Sequence, residues 1–166
     1  MSSKKTNLKT TSLLKVNKPI KRHPSLQNLS REHHDILVFG LRLKKGIQKK
    51  ASSGAMNQYV NWFWNDYLKA HFEVEEKHLF PMFPNCEHLA KAENSHQEIR
   101  DLLENKMLSV DQLEELYVLV EKNIRFEERM LFNEIQTIAN ENQLKKFSNI
   151  HPRQQTCSIW HHQFWK

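Results

Sequence analysis

The chain has 166 residues, enough for one domain with its own apolar core, and only 3 Gly and 5 Pro. So few turn formers favour a few long helices and argue against a protein of many short strands. The net charge of +6 belongs to the N-terminal region: Lys4, Lys5, Lys9, Lys15, Lys18, Lys21, Arg22 and Arg31 occur in 1–31 with no Asp or Glu, and these eight charges exceed the total by two, leaving 32–166 at −2.

Residues 1–24 are rich in Ser, Thr and Lys and poor in apolar residues, the composition of a disordered basic leader. Such a leader can bind nucleic acid or an anionic surface, but a solvated tail is favoured, so no nucleic-acid partner is expected. No apolar run approaches the ~18 residues of a membrane span, and no secretory signal is evident. Cys86 and Cys157 are a poor basis for a disulfide framework, and a cytoplasmic location is expected.

Helical periodicity begins at residue 25. Leu26, Leu29, His33, Ile36, Leu37, Gly40 and Leu41 predict one stripe over about 25–49, and Ala-Ser-Ser-Gly at 51–54 interrupts it. A second helix, about 55–80, carries Val60, Trp64, Tyr67, Leu68, His71, Glu75 and Leu79, and Pro81 and Pro84 end it. A third, about 86–107, carries Leu89, Ala92, His96, Ile99, Leu103 and Met107. A fourth, about 111–140, carries Leu113, Leu116, Val120, Asn123, Glu127, Leu131 and Ile135, with a cap near Ser109. Short connections between long amphipathic helices predict an all-α fold, an up-down-up-down four-helix bundle over 25–140. The aromatic residues of 141–166, among them Phe147, Trp160, Phe164 and Trp165, predict a short extra C-terminal segment packed on the bundle.

Every stripe carries a polar residue at a core-facing phase: His33, His71, Glu75, His96, Asn123 and Glu127. A buried carboxylate is costly unless paired or bound to a cation, and a shared cation accounts for Glu75 and Glu127 together. The i,i+4 spacing puts His71 and Glu75 on one face. His33 fits the stripe better than His34. His78 completes a Glu-x-x-His pair with Glu75, but the matching position in the fourth helix is Leu131, so His78 is read as a surface or supporting group. The reading requires Glu75 and Glu127 to face each other inside the bundle.

Two segments share one template, His71-Phe-Glu-Val-Glu75-Glu76-Lys-His-Leu-Phe and Asn123-Ile-Arg-Phe-Glu127-Glu128-Arg-Met-Leu-Phe. With Leu29-Ser-Arg-Glu-His33-His34 and His96-Gln-Glu-Ile they resemble the hemerythrin-like, or HHE cation-binding, family over about 23–140. That resemblance implies a four-helix bundle with a non-haem di-iron centre, in proteins that bind oxygen, sense oxygen or iron, or help repair iron centres. It implies that His33 and His71 ligate one iron, that His96 and residue 123 serve the other, and that Glu75 and Glu127 bridge them. Two positions depart from the oxygen carriers: Arg100 stands where a further His follows His96, and Asn123 stands where another His is expected.

Both departures fall on one iron. One tight iron is therefore expected, with a second weak or absent and Asn123 as a weak ligand. Arg100 is read as able to turn inward and pair with Glu127. Reversible oxygen carriage in this family uses two irons, so the expected role is binding or sensing of iron, O2 or NO. A redox or iron-centre repair role and a metal-free structural bundle are the alternatives. No nucleophile–base set and no phosphate loop is found, which favours binding over catalysis.

Overall fold

The computed structural model describes residues 20–151 and 160–166. Residues 1–19 of the expected leader, and Cys157, lie outside the described residues. Pro24 opens a single 3-10 turn, Pro24–Leu26, where its missing N–H costs nothing and the His23 ring accepts from the Ser25 N–H at 3.2 Å. Helix α1, Gln27–Gln48, follows. Helix α2 occupies 53–79 and starts at the Ser52 cap. Helix α3 is Leu89–Leu103. Helix α4 occupies 110–138 and begins with a capping box in which Ser109 and Gln112 satisfy each other's backbone N–H. A second capping box, Asn140 with Gln143, starts the short helix α5, Glu141–Ile150. Among the described residues there is no strand, and no helix is long and apolar enough to cross a membrane.

Two of the long helices are not uniformly wound. Helix α2 widens into π-helical turns at Trp64–Leu68 and Glu75–Leu79, and α4 does so at Glu127–Leu131. The N–H of Lys69 bonds the carbonyl of Trp64, that of Phe80 the carbonyl of Glu75, and that of Phe132 the carbonyl of Glu127, each five residues back. A wide turn absorbs one extra residue and re-aims the side chains that follow, and such turns concentrate at functional sites. Here two of the three begin on the inward carboxylates.

The core has two apolar parts. One gathers Ile36, Phe39, Leu43, Tyr59, Phe63 and Leu116 with their neighbours; the other gathers Leu29, Leu79, Phe80, Leu131, Phe132 and Phe147. His33 lies between Leu29 and Ile36 along α1, His96 between Ala92 and Ile99 along α3, and Glu127 between Ile124 and Leu131 along α4. The polar residues therefore form a layer between the two apolar parts. They fall near the start of α1, at the middle of α3, late in α2 and from the middle of α4 onward, so that four helices of different length bring them to one level.

Two stripe assignments are corrected. Leu41 is 50 % exposed, because the inward face of α1 runs through Phe39, Gly40 and Leu43 and residue 41 is one step further round. Met107 is 66 % exposed, because α3 ends at Leu103 and leaves it in the connection. Leu108 is buried instead; its N–H and C=O are both held by the Asn57 side chain, at 2.7 and 2.9 Å.

Leu144 and Phe147 of α5 are buried against the second apolar part. Trp160, Phe164 and Trp165 surround Tyr59 with ring centroids 5.8, 5.4 and 5.2 Å away, and the Arg42 guanidinium lies 4.6 Å over Trp165. Gly46 makes the seat: a Cβ there would come within 2.5 Å of the Phe164 ring.

Candidate metal centre

His33, His71, Glu75, His96, Asn123 and Glu127 are each no more than 1 % exposed. The two carboxylates face each other across the imidazoles. His33 Nε2 lies 3.4 Å from Glu75 Oε1 and 3.2 Å from Glu127 Oε2. His96 Nε2 lies 3.3 Å from Glu75 Oε2 and 2.8 Å from Glu127 Oε1. Each carboxylate thus turns one oxygen to His33 and the other to His96, the disposition of a pair of bridging carboxylates. His71 Nε2 lies 3.5 Å from Glu75 Oε2, and its ring centroid is 4.9 Å from that of His33.

The outer nitrogen of every one of these imidazoles is tied to a carboxylate from another helix. His33 Nδ1 meets Glu128 Oε1 at 2.7 Å, His71 Nδ1 meets Glu32 Oε2 at 2.8 Å, and His96 Nδ1 meets Glu76 Oε1 at 2.8 Å. A carboxylate on Nδ1 fixes the ring and its tautomer and leaves the Nε2 lone pair facing inward, the supporting arrangement common to metal-bound histidines. The supports are themselves held. Ser30 Oγ and an Arg22 guanidinium nitrogen donate to Glu128 at 2.7 and 2.8 Å. His151 Nε2 reaches Glu32 Oε1 at 2.8 Å. Arg100 grips both oxygens of Glu76 at 2.9 and 2.8 Å. The rings are also clamped by stacking, His33 on Phe132 and His96 on Phe72, with centroids 5.1 and 3.8 Å apart.

Arg100 therefore does not pair with Glu127, as its spacing had suggested. It turns toward the edge of the layer, where Glu76 supplies a two-oxygen partner matched to its planar fork. His34 and His78 are both exposed. The supporting residues Glu32, Glu76, Glu128 and His151 were not picked out from the sequence. The doubled Glu of both template segments was the available signal: the first of each pair faces the layer and the second supports an imidazole on a neighbouring helix.

Burial disfavours the charged form of His33 and His96. The carboxylates around them, led by Glu127 in both cases, outweigh it and raise each imidazole well above its ordinary value. Burial also pushes Glu32, Glu76 and Glu128 up, but the partner imidazoles and Arg100 or Arg22 overcome it and bring all three down to about 2. Glu127 is lowered by His33 and His96 against burial. Glu75 stays below its ordinary value although burial and the Glu127 charge both oppose ionisation. Two ionised carboxylates side by side in a dry core are sustained by positive charge, whether from protons on the imidazoles or from a metal ion.

The inward atoms fit a metal better than they fit one another. His33 Nε2, His71 Nε2, both Glu75 oxygens, Glu127 Oε2 and both amide atoms of Asn123 are buried without a properly aligned hydrogen bond. Of the inner-nitrogen contacts above, only His96 Nε2 with Glu127 Oε1 is aligned as a hydrogen bond; the others have the distance but not the alignment. Each buried polar atom left so costs about 1–3 kcal/mol, too much to repeat within one layer unless something else engages them. One ligand atom from each of His33, His71, Glu75 and Glu127 falls within a common 4.8 Å, near the ~4 Å that separates atoms on opposite sides of one ion. His96 joins through the far oxygens of both carboxylates, and Asn123 stands one turn before Glu127 on α4.

Comparison with known proteins agrees with this geometry. No curated protein and no solved structure matches the chain. The family model described as "Hemerythrin HHE cation binding domain" matches residues 25–135, a span that holds all six inward residues. The chain belongs to the hemerythrin HHE cation-binding family.

Proposed function

We propose that this protein binds non-haem iron in the polar layer and thereby binds or senses iron, O2 or NO, with one strong metal position and one weak one. The observation that carries the proposal is the set of three imidazoles whose outer nitrogens are fixed by carboxylates while their inner nitrogens meet Glu75 and Glu127. His33, His71, Glu75 and Glu127 would hold the strong position, since two imidazoles with carboxylate suit ferrous iron and leave coordination sites open. His96, the shared carboxylates and the Asn123 amide would hold the weak one, because an amide oxygen is a poorer donor to iron than an imidazole. Bound ferrous iron supplies a coordination position for a diatomic ligand and the electron density to hold it.

The rest of the chain serves that centre. Phe72, Phe80 and Phe132 keep water from the imidazoles. A groove of about 300 Å³ between α1 and α4, lined by Leu37, Leu41, Tyr117 and others, reaches Ile36 and Val120. These lie one turn from His33 and Asn123, which suits the approach of a small apolar gas. Thiol-based redox chemistry has less support, because burial and Glu134 push the Cys86 thiol up to about 11 and leave it a poor nucleophile.

The test is anaerobic loading with ferrous iron, iron counted per chain, then exposure to O2 or NO while absorption is followed. One tightly held iron, a second only at excess metal, and a gas-dependent absorption change are expected. Two equally tight irons would overturn the split between positions, and a protein that holds none would overturn the proposal.

A further inference from the structure

A second constellation lies apart from the polar layer. Pro81 and Pro84 end α2, and the loop that follows turns Cys86 and His88 onto Glu134 of α4. Cys86 Sγ lies 2.9 Å from Glu134 Oε2, the His88 ring Nδ1 contacts the same oxygen, and the His88 N–H donates to it at 3.2 Å. The other oxygen, Oε1, accepts the Glu87 N–H at 2.8 Å. One donor atom from each of the three side chains falls within a common 4.8 Å.

Oε2 is thus asked to accept three donors where an oxygen offers two lone pairs, while Oε1 takes one. A single cation in place of the thiol and imidazole protons relieves that crowding and leaves the two backbone bonds intact. The donor set is also discriminating. A thiolate, an imidazole and a carboxylate together suit zinc or a similar thiophilic divalent ion and are poor for magnesium or calcium. Cys86 is 6 % exposed and fixed, while the side chains of His88 and Glu134 are 28 % and 20 % exposed. Solvent can therefore reach the ion and complete a four-coordinate shell, as in sites with three protein ligands and an open position.

We infer that Cys86, His88 and Glu134 form a second metal site, selective for zinc-like divalent ions and independent of the polar layer. Binding displaces the thiol proton and any proton on His88 Nδ1, so the ion supplies the positive charge those protons held. Its occupancy ties the loop after α2 to α4 without touching the imidazoles of the layer.

Cobalt(II) is the probe, because a sulfur-to-cobalt charge-transfer band requires a thiolate ligand and the polar layer contains none. Full-length protein titrated anaerobically with Co2+ is expected to develop that near-ultraviolet band to the amplitude of one thiolate-bound cobalt per chain, beyond whatever cobalt the polar layer takes without a band, and Zn2+ is expected to remove it. Cys86→Ser should lose the band, while Cys157→Ser should keep it. His88→Ala and Glu134→Gln, which retain the thiol, should each weaken cobalt binding by roughly tenfold or more. These two variants decide the matter if Cys86→Ser fails to fold by circular dichroism. Absence of the band from the unaltered protein, a band that follows Cys157, or a band indifferent to His88 and Glu134 would overturn the assignment. Iron content of the polar layer does not enter the readout, so this test and that of the iron-binding reading fail separately.

Discussion

The two sides of the polar layer share two carboxylates but are furnished differently. On the His33 side a second imidazole, His71, has its ring centroid 4.9 Å from that of His33, and the supports of both rings are anchored by Arg22, Ser30 and His151. On the His96 side there is one imidazole, supported by Glu76 and Arg100, and beyond it the Asn123 amide with neither polar atom bonded. The supporting groups are equally well built on both sides. What differs is the number of inward donors, and the proposed difference in metal affinity rests on that number. Glu75, within 3.5 Å of all three imidazoles, couples the sides.

The largest effect therefore belongs to the shared carboxylate. Glu75→Gln, similar in shape but without the charge, should abolish the tight equivalent of iron and the weak one together. His96→Ala should remove only the weaker equivalent. Iron counted per chain after desalting distinguishes them, and equal losses from the two variants would mean that the sides are not separable. Next in size is the attempt to make the sides alike. Asn123→His puts an imidazole one turn before Glu127 and should convert a weak second equivalent into a tight one. No gain in iron content would mean that residue 123 does not limit that side.

Smaller effects come from the supports. Glu32→Gln leaves His71 in place but weakens the group on its Nδ1, and His151→Ala removes the group that holds Glu32. Each should lower affinity for the first iron, by about 10–100-fold for the direct support. Glu76→Gln should act on the second position and spare the first. Titration of the two equivalents in each variant checks the assignment, and crossed effects would reverse it.

The bundle and the inward residues were legible in the sequence for one physical reason: polar side chains interrupt apolar stripes of helical period. Glu32, Glu76 and Glu128 were less legible because each is next in sequence to an inward residue. Glu76 and Glu128, one step round the helix from Glu75 and Glu127, look like the solvated edge of a face. They meet histidines only because neighbouring helices are adjacent in space. His151 reaches Glu32 from 119 residues away, a pairing that no period reveals. The π turns are invisible for the opposite reason, since an extra residue in one turn leaves the composition of a stripe unchanged. Arg100 was assigned the wrong partner because its spacing from His96 fixes a face but not which of two nearby carboxylates its fork will meet. The site on Glu134 is made by a loop folding onto a helix 48 residues later, so spacing alone could not bring its members together.

The smallest predicted effect separates protons from metal as the charge that holds the layer together. In metal-free protein His33 and His96 are raised above 6.5, so their contribution to stability is fully present below that value and is lost as pH rises through their folded values. Glu32, Glu76 and Glu128 are lowered from 4.5 to about 2, so their contribution is present above 4.5 and lost as pH falls toward 2. Metal-free protein should then melt highest between pH 4.5 and 6.5 and progressively lower above it. A metal ion in the layer would compete with the same imidazole protons and bind more strongly as they leave, so the gap in Tm between iron-loaded and metal-free protein should widen with rising pH. A metal-free Tm that climbs up to pH 6.5 and levels off above it would mean that the imidazoles are already neutral in the fold. The two carboxylates would then need another source of positive charge even before iron arrives.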